Sequence, residues 1–318
     1  MKWIEGPLPD SPEWQSARPL GIGGSEICAA AGERLPPQFR SRYSTRYELV
    51  AKKLGLLPRF EGNATTRRGK RAERFVIDTF LEEMDFMEGV ALARYPVPML
   101  RHPTLEWLFC TPDALLSNNE GLEAKTSTYF AAKGHFGEFL TDEIPNDYLC
   151  QAQLECEALG VDVVHVPLML GDWQLHPYRV VRNQSLIDAL IDAAQECWEF
   201  IVAKALPEPT WTHDGTLGVV KALNREIAPG ALVPLSAQAQ ADWAQREKVG
   251  EKIKDLKAEQ EMLTARVLLE LGDAEAGDIG TGSVLRRKLV ERKAYTVEAT
   301  SFVELRKIKL ATFLGDGR

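Results

Sequence analysis

Asp113, Glu123 and Lys125 are the residues of this 318-residue sequence whose types and spacing point most directly to chemistry. Carboxylate oxygens suit Mg²⁺, which usually takes one or two of them together with water and a phosphate oxygen of the substrate. A bound Mg²⁺ lowers the pKa of a water molecule, while the ammonium of Lys125 can orient that water or neutralise charge. These residues indicate phosphodiester hydrolysis. The alternative is an exposed hairpin with a Glu–Lys pair on its solvent face.

The three side chains meet only if the turn between them has the right length. Apolar runs on both sides of the turn-forming segment 117–121 predict a β-hairpin. If the loop is those five residues, Leu116 pairs with Leu122 and Asp113 with Lys125, so all the polar side chains share one face. A four-residue loop would turn Asp113 to the opposite face.

Glu73 is a further candidate because it lies on the apolar face of a predicted helix. At helical spacing it shares that face with Ile77 and Phe80. A carboxylate in such surroundings needs a partner, which a metal ion or a role as a buried base would supply. Alternatively, Glu73 lies at the edge of the apolar stripe and pairs with Lys70 or Arg74.

Tyr148 and Gln151 stand one turn apart in a second predicted helix, over 146–155. Their spacing of three residues places both side chains on the same side of that helix. Taken alone, the pair is equally compatible with a polar surface.

A glycine-rich turn over 18–26 precedes a short run of helix formers. Backbone amides at a helix start, the hydroxyl of Ser25 and the nearby Arg18 together could hold a phosphate group. No Gly-Lys-Ser/Thr sequence follows, so the turn is not a nucleotide-binding P-loop.

The composition is that of a globular protein, with 45% hydrophobic and 26% charged residues. A net charge of −8 argues against a protein that coats nucleic acid by bulk attraction, although a local basic groove stays compatible with it. The five cysteines lack disulfide or metal-site spacing, which predicts buried free thiols. Neither a signal peptide nor a long apolar run is present, so we expect a cytoplasmic protein without membrane contact.

The chain divides near a proline- and glycine-rich break, and we expect domains over 1–208 and 209–318. Helix formers of mixed charge over 236–271 predict a long solvated helix, with a partial apolar stripe that could pack on a partner. The segment 284–309 is basic around the strand-like 294–297, which suits either a nucleic-acid contact or a solvated face.

In their order along the chain, the four candidate segments resemble the YqaJ recombinase family of phage-type alkaline exonucleases, to which lambda exonuclease belongs. The resemblance covers about residues 13–200. It implies roles for ten residues: catalysis for Glu73, Asp113, Glu123, Lys125 and Gln151; metal binding for Asp113, Glu123, the carbonyl of Ala124, and Glu73; phosphate or DNA binding for Arg18, Ser25, Thr111 and Tyr148.

Two positions depart from the pattern of this family. Ala114 follows the Pro-Asp pair where the family usually has glycine. The segment 102–104 offers no counterpart for an acidic residue that some members carry upstream, so no second metal ligand is assigned there.

The resemblance implies a restriction-endonuclease-like α/β core of the PD-(D/E)xK type. Its mixed central sheet would be flanked by helices, with a long C-terminal helix and a small β-hairpin as an extension. The implied activity is Mg²⁺-dependent, with Mn²⁺ as a substitute. It would degrade one strand of linear double-stranded DNA from a 5′-phosphate and leave an overhang for annealing-type recombination.

The same resemblance implies further properties. A single-strand annealing protein would be the partner, the enzyme would be a homo-oligomer, and the gene would belong to a phage or prophage. Two alternatives stay open: a RecB-like or endonucleolytic enzyme of repair or defence, and a non-catalytic DNA-end-binding module. The residues Arg18 and Ser25 would separate the first alternative from the exonuclease, because only an end-directed enzyme needs them.

Overall fold

The computed structural model describes residues 2–58, 62–280 and 282–291 together with Lys307, and for Gln38 the backbone alone. The chain forms two compact units, Met1–Asn224 and Arg225–Arg318. In the part of the chain that the structure describes, none of the helices is both long enough and apolar enough to span a bilayer.

A six-stranded mixed sheet forms the centre of the first unit. All eight residues of strand β8 are buried, as expected for a strand that is covered on both faces. β8 pairs with β9 in antiparallel fashion on one edge, and in parallel fashion with β6 and β7 on the other; β5 and β2 extend the sheet beyond β6. The strands are β2 (Leu92–Arg94), β5 (Ala114–Leu116), β6 (Gly121–Leu122), β7 (Lys125–Ser127), β8 (Val163–Leu170) and β9 (Leu175–Val181).

Helices cover both faces of this sheet. On one face, Phe80 of helix α4 (Ala64–Glu83) packs with Leu122, and on the other, Ala152 of helix α6 (Asn146–Leu159) packs with Val166. The remaining elements of the unit are β1 (Ile4–Glu5), α1 (Pro12–Ala17), α2 (Ile27–Ala31), α3 (Arg46–Lys53), α4 (Ala64–Glu83), β3 (Leu100–Arg101), β4 (Phe109–Cys110), α5 (Tyr129–Ala132), α6 (Asn146–Leu159), α7 (Gln184–Val202) and α8 (Thr216–Leu223). The prediction of an α/β core with a mixed central sheet flanked by helices is confirmed.

The hairpin between β5 and β6 has a tighter turn than expected. Ala114, not Leu116, pairs with Leu122, so the expected register is wrong by two residues. The amide of Leu116 bonds to the carbonyl of Glu120, and Asn119 takes a φ of 61° within the turn. Asparagine tolerates this left-handed conformation better than most residues, which lets the turn close over fewer residues.

The two-residue shift leaves the faces of the strands unchanged, because side chains alternate with a period of two. Asp113 and Glu123 therefore keep the common face that the five-residue loop predicted. Glu123 lies in a gap between β6 and β7, where the flanking registers place Ala124 opposite Pro167 of β8. A proline has no N–H to donate, so the ladder of hydrogen bonds is interrupted there.

The first unit extends to Asn224, which is beyond the expected boundary at 208. Helix α8 accounts for the difference, since its residue Val219 is buried against Tyr47, Ala51 and Leu57. The break in composition thus marks a loop within the unit, and the chain crosses to the second unit only after α8.

The second unit contains the predicted long helix, α9 (Ala237–Leu271), and a small hairpin of β10 (Ala276–Asp278) and β11 (Val284–Arg286). Ser236 caps the start of α9 by accepting a hydrogen bond from the amide of Ala239. No residue of α9 is buried, in agreement with the solvated helix that its composition predicts. The strand expected at 294–297 lies outside the described residues, as does most of the basic tail.

Candidate active site

A cavity of about 210 Å³ lies between the glycine-rich turn and the chain that carries Glu123 and Lys125. It brings together six of the ten predicted site residues, from four separate segments. Its lining residues are Trp14, Arg18, Gly23, Gly24, Ser25, Phe109, Cys110, Thr111, Glu123, Lys125 and Gln151.

The glycines of the turn serve its close packing against β4. A Cβ at Gly21 would lie 2.1 Å from the carbonyl oxygen of Trp107, and one at Gly24 would lie 2.9 Å from Cys110 Sγ. Both distances are impossible for a larger residue, so the glycines let the turn lie directly on the strand. The amide of Gly23 bonds to Glu26 Oε2 at 3.0 Å, so this amide of the expected phosphate cradle is already engaged.

Lys53 holds the glycine-rich turn in place through two hydrogen bonds, a role that the sequence did not reveal. Its ammonium donates to Glu26 Oε2 at 2.8 Å and to the carbonyl of Arg18 at 3.0 Å. Burial lowers the pKa of Lys53, and the adjacent carboxylate of Glu26 opposes that effect. Lys53 follows Glu26 by 27 residues, and no local pattern signals a contact over that distance.

Trp14 is a second residue that sequence reasoning missed. Its indole N–H donates to Thr111 Oγ1 at 3.2 Å, and the guanidinium of Arg18 lies 4.7 Å from the centre of its ring. The ring thereby holds Arg18 and Thr111 on the same wall of the cavity by a cation–π contact and a hydrogen bond. A tryptophan four residues before the arginine was the available signal.

Lys125 begins strand β7 and points into the cavity. Its Nζ donates to Glu123 Oε1 at 2.5 Å and to Gln151 Oε1 at 3.3 Å. Burial works against the charged ammonium, but the carboxylates of Glu123 and Asp113 outweigh it and raise the pKa of Lys125 above its ordinary value. Lys125 is therefore a permanent cation at neutral pH.

Helix α6 places Tyr148 and Gln151 beside this lysine, as the three-residue spacing predicts. The ring centre of Tyr148 lies 4.9 Å from Lys125 Nζ. Gln151 is buried, and its amide nitrogen donates to Glu123 Oε1 at 2.6 Å. The alternative of a polar surface pair is wrong for Gln151, because the helix turns this face toward the sheet.

Asp113 and Glu73 adjoin Glu123 from two other elements. Asp113 Oδ2 accepts a hydrogen bond from the amide of Ala124 at 2.8 Å, and Glu73 Oε1 accepts one from the Tyr95 hydroxyl at 3.3 Å. Burial and then the charge of Glu123 raise the pKa of both carboxyls. The alternative pairing of Glu73 with Lys70 or Arg74 is not formed, since those two residues pair with Asp10 and Asp78.

These carboxylates fit a divalent cation, although they do not form a preformed cluster. Within the described residues, no three His, Cys, Asp or Glu side chains converge as ready metal ligands. However, Glu123 Oε2 is buried and lacks a hydrogen-bond partner among the described residues. An unpaired buried carboxylate oxygen beside two further carboxyls of raised pKa indicates that Lys125 alone does not balance the negative charge of the site, and hard oxygen donors suit Mg²⁺.

The five cysteines are all buried and free, as predicted from their spacing. Cys110 lies in the cavity wall, where burial raises the pKa of its thiol well above the ordinary value. A thiol in this state is a poor nucleophile, so it serves as an apolar wall residue.

The fold is an α/β core whose mixed sheet is flanked by helices. It carries Asp113, Glu123 and Lys125 on one face, at the interrupted strand. Residues 13–158 match the family model of the YqaJ-like viral recombinase domain. This segment of the first unit is therefore similar to a YqaJ-like viral recombinase domain, and the match supports a phage-type nuclease.

Solved structures of similar proteins include two exonucleases. An alkaline exonuclease from Laribacter hongkongensis is 19% identical, with a TM-score of 0.45, over 61% of this chain and 94% of that one. A phage-related exonuclease from Haemophilus somnus 129PT is 17% identical, with a TM-score of 0.44, over 58% of this chain and 96% of that one. No curated protein matches the chain.

Proposed function

We propose that this protein is a metal-dependent exonuclease that degrades one strand of linear double-stranded DNA from its 5′ end. The observation that carries the proposal is the single cavity that both Arg18 and Ser25 and the Glu123–Lys125 pair line. Its volume of about 210 Å³ is below the roughly 300–1,000 Å³ of pockets for drug-sized ligands. Such a cavity suits the phosphate at a strand end better than a duplex.

In this proposal the wall with Arg18 holds the terminal phosphate, and the opposite wall acts on the neighbouring phosphodiester. Arg18 supplies a planar cation that Trp14 orients, and Thr111 supplies a hydroxyl donor. Lys125 remains charged, so it neutralises developing negative charge and orients an attacking water through its N–H groups.

Asp113, Glu123 and the carbonyl of Ala124 are the groups we propose for holding Mg²⁺, with Glu73 close by and Mn²⁺ as a substitute. The bound ion would lower the pKa of the attacking water and stabilise charge on the phosphate. Gln151 donates to Glu123 Oε1 and so directs one oxygen of this carboxylate away from the ion. The unpaired Glu123 Oε2 is left for the ion.

The proposal includes the fate of the product. Removal of one strand leaves a 3′ overhang, and the family's description as a viral recombinase supports delivery of that overhang to a single-strand annealing protein. The same description supports a phage or prophage protein that acts in the cytoplasm of the host. We propose that the enzyme works as a homo-oligomer.

The test is digestion of linear duplex DNA that is labelled separately at each end of one strand, with Mg²⁺ or with EDTA. We expect nucleotides to be released first from the 5′-phosphorylated end, and only with Mg²⁺. Release from the 3′ end would reverse the polarity, and internal nicks would favour an endonuclease. Binding without cleavage in either condition would favour the end-binding module.

Replacing Arg18 with Ala should remove the preference for a 5′-phosphate. The guanidinium is charged and bidentate, and its loss should reduce kcat/KM on 5′-phosphorylated DNA about 10- to 100-fold. DNA with a 5′-hydroxyl should be cleaved at nearly the wild-type rate. The measurement is kcat/KM on both substrates, with Arg34→Ala as the control, because Arg34 is an exposed partner of Glu196. Equal losses on both substrates would contradict the role of Arg18.

A further inference from the structure

Glu155 is a fully buried carboxyl that no part of the proposed reaction uses. It lies on α6 one turn after Gln151, with no solvent exposure. Glu155 Oε1 accepts a hydrogen bond from Gln151 Nε2 at 2.9 Å, and Glu155 Oε2 has no partner among the described residues. Within those residues it forms no ion pair. Burial, and then the charge of Glu123, raise its pKa well above the ordinary value.

A carboxyl in this position is costly to the fold. Burial of a polar group with incomplete hydrogen bonding destabilises the native state, and an apolar side chain of similar volume would avoid that cost. Among the described residues, the one hydrogen bond of Glu155 comes from the amide of Gln151. Any effect of Glu155 on the site must therefore act through that amide.

The amide of Gln151 has three polar contacts that fix its orientation. Its nitrogen donates to Glu123 Oε1 at 2.6 Å and to Glu155 Oε1 at 2.9 Å, and its oxygen accepts from Lys125 Nζ at 3.3 Å. A flipped amide would place its N–H groups against the ammonium and its oxygen against two carboxyl oxygens. The terminal torsion of a glutamine is otherwise broad, so these acceptors decide which way it points.

We infer that Glu155 is a positioning residue that holds the amide of Gln151 with its oxygen toward Lys125. Through Gln151 it fixes the ammonium of Lys125 beside Glu123. The inference rests on the proposed function, because it assigns Glu155 a part in the same site. Without Glu155, one amide N–H loses its acceptor, the amide gains rotational freedom, and Lys125 loses its second acceptor for part of the time.

A double-mutant cycle tests the inference. Glu155→Leu should lower kcat about 10-fold or more, as is typical when a partner of an active-site residue is removed, with KM for DNA nearly unchanged. Glu155→Gln should keep kcat within about threefold of wild type, because its amide oxygen can accept the same hydrogen bond. In a Gln151→Leu background, Glu155→Leu should have no further effect on kcat, because Glu155 acts through Gln151.

Gln153 provides the matched control on the same helix. It is also buried, but its amide nitrogen donates to the carbonyl of Val181 and its amide oxygen accepts from the amide of Asn183, away from the cavity. Gln153→Leu should lower the melting temperature without lowering kcat. An equal loss of kcat in Gln153→Leu and Glu155→Leu, or an undiminished effect of Glu155→Leu in the Gln151→Leu background, would overturn the positioning role.

A second readout does not depend on DNA cleavage. A crystal structure of Glu155→Leu should show the amide of Gln151 rotated or in two orientations, whereas Glu155→Gln should keep it in place. If the amide of Gln151 keeps its orientation in Glu155→Leu, the inference is overturned, whatever the cleavage activity of that variant. Failure of the wild-type protein to cleave DNA would instead contradict the proposed function and leave this structural comparison valid.

Discussion

Replacing Lys125 with Met is expected to lower the rate of DNA cleavage about 10³-fold or more at saturating Mg²⁺, with the fold intact. The effect is large because the ammonium contacts Glu123 and lies in a buried site, where a charge that stabilises the transition state acts through a low dielectric. Methionine keeps most of the length of the side chain and removes only the charge and its donors. The measurement is kcat on linear duplex DNA together with thermal unfolding of the variant.

Lys52→Met is the control, since Lys52 forms a surface pair with Glu48 on helix α3. It should leave kcat unchanged. Cleavage by Lys125→Met within tenfold of the wild-type rate would remove Lys125 from the mechanism. Because the pKa of Lys125 lies above its ordinary value, the wild-type rate should show no decline between pH 7 and pH 9 that is due to its deprotonation.

Asp113→Asn is expected to abolish cleavage, about 10³-fold or more, and yet to stabilise the metal-free protein. Asparagine can still accept the hydrogen bond from the amide of Ala124, but it brings no charge to the ion. In the metal-free protein, burial and the charges of Glu123 and Glu73 raise the pKa of Asp113. The folded state therefore binds its proton more tightly than the unfolded state does.

The sign of the pH dependence follows from this raised pKa. Stability of the metal-free wild type falls as the pH rises above the unfolded value of about 4 toward the pKa in the folded state. In EDTA at pH 8 the variant should melt about 3 °C or more above wild type, and this difference should shrink at lower pH. Mg²⁺ should raise the melting temperature of wild type more than that of the variant.

Calorimetry at pH 5 and pH 8, with EDTA or Mg²⁺, measures these differences. Asp78→Asn is the control, because Asp78 is a surface partner of Arg74 on α4. A variant that melts below wild type in EDTA at pH 8, or that Mg²⁺ stabilises as strongly as wild type, would show that Asp113 is not the charge that the ion neutralises.

Local periodicity was enough to predict much of the fold and the geometry of several site residues. The three-residue spacing of Tyr148 and Gln151 put them on one helix face, and the alternation of strand residues kept Asp113 and Glu123 together despite the wrong hairpin register. The first result depends only on the helical repeat. The second depends on the alternation of strand side chains, which a shift of two residues preserves. The hairpin register itself depended on the conformation of Asn119, which composition alone does not fix.

Contacts between distant segments could not be predicted in this way. The support of the glycine-rich turn by Lys53 and the contact of Trp14 with Thr111 join segments that meet only after the sheet has formed. Glu155 had the sequence signature of an ordinary helix residue, because its burial depends on how α6 packs against the rest of the core. The end of the first unit at Asn224 was likewise not predictable from composition, since the burial of Val219 against Tyr47 is a tertiary contact.

The five inaccessible cysteines make site-specific labelling possible without removal of any native cysteine. Each of the five thiols is at most 1% exposed, and burial raises the pKa of Cys156 to about 12. Maleimides react with accessible thiolates, so the native protein should be almost inert to them. A single cysteine at an exposed position of α9, such as Lys252→Cys, would then take one dye per chain. Fluorescence from that dye would show whether one molecule advances along a tethered duplex, as the proposed function expects.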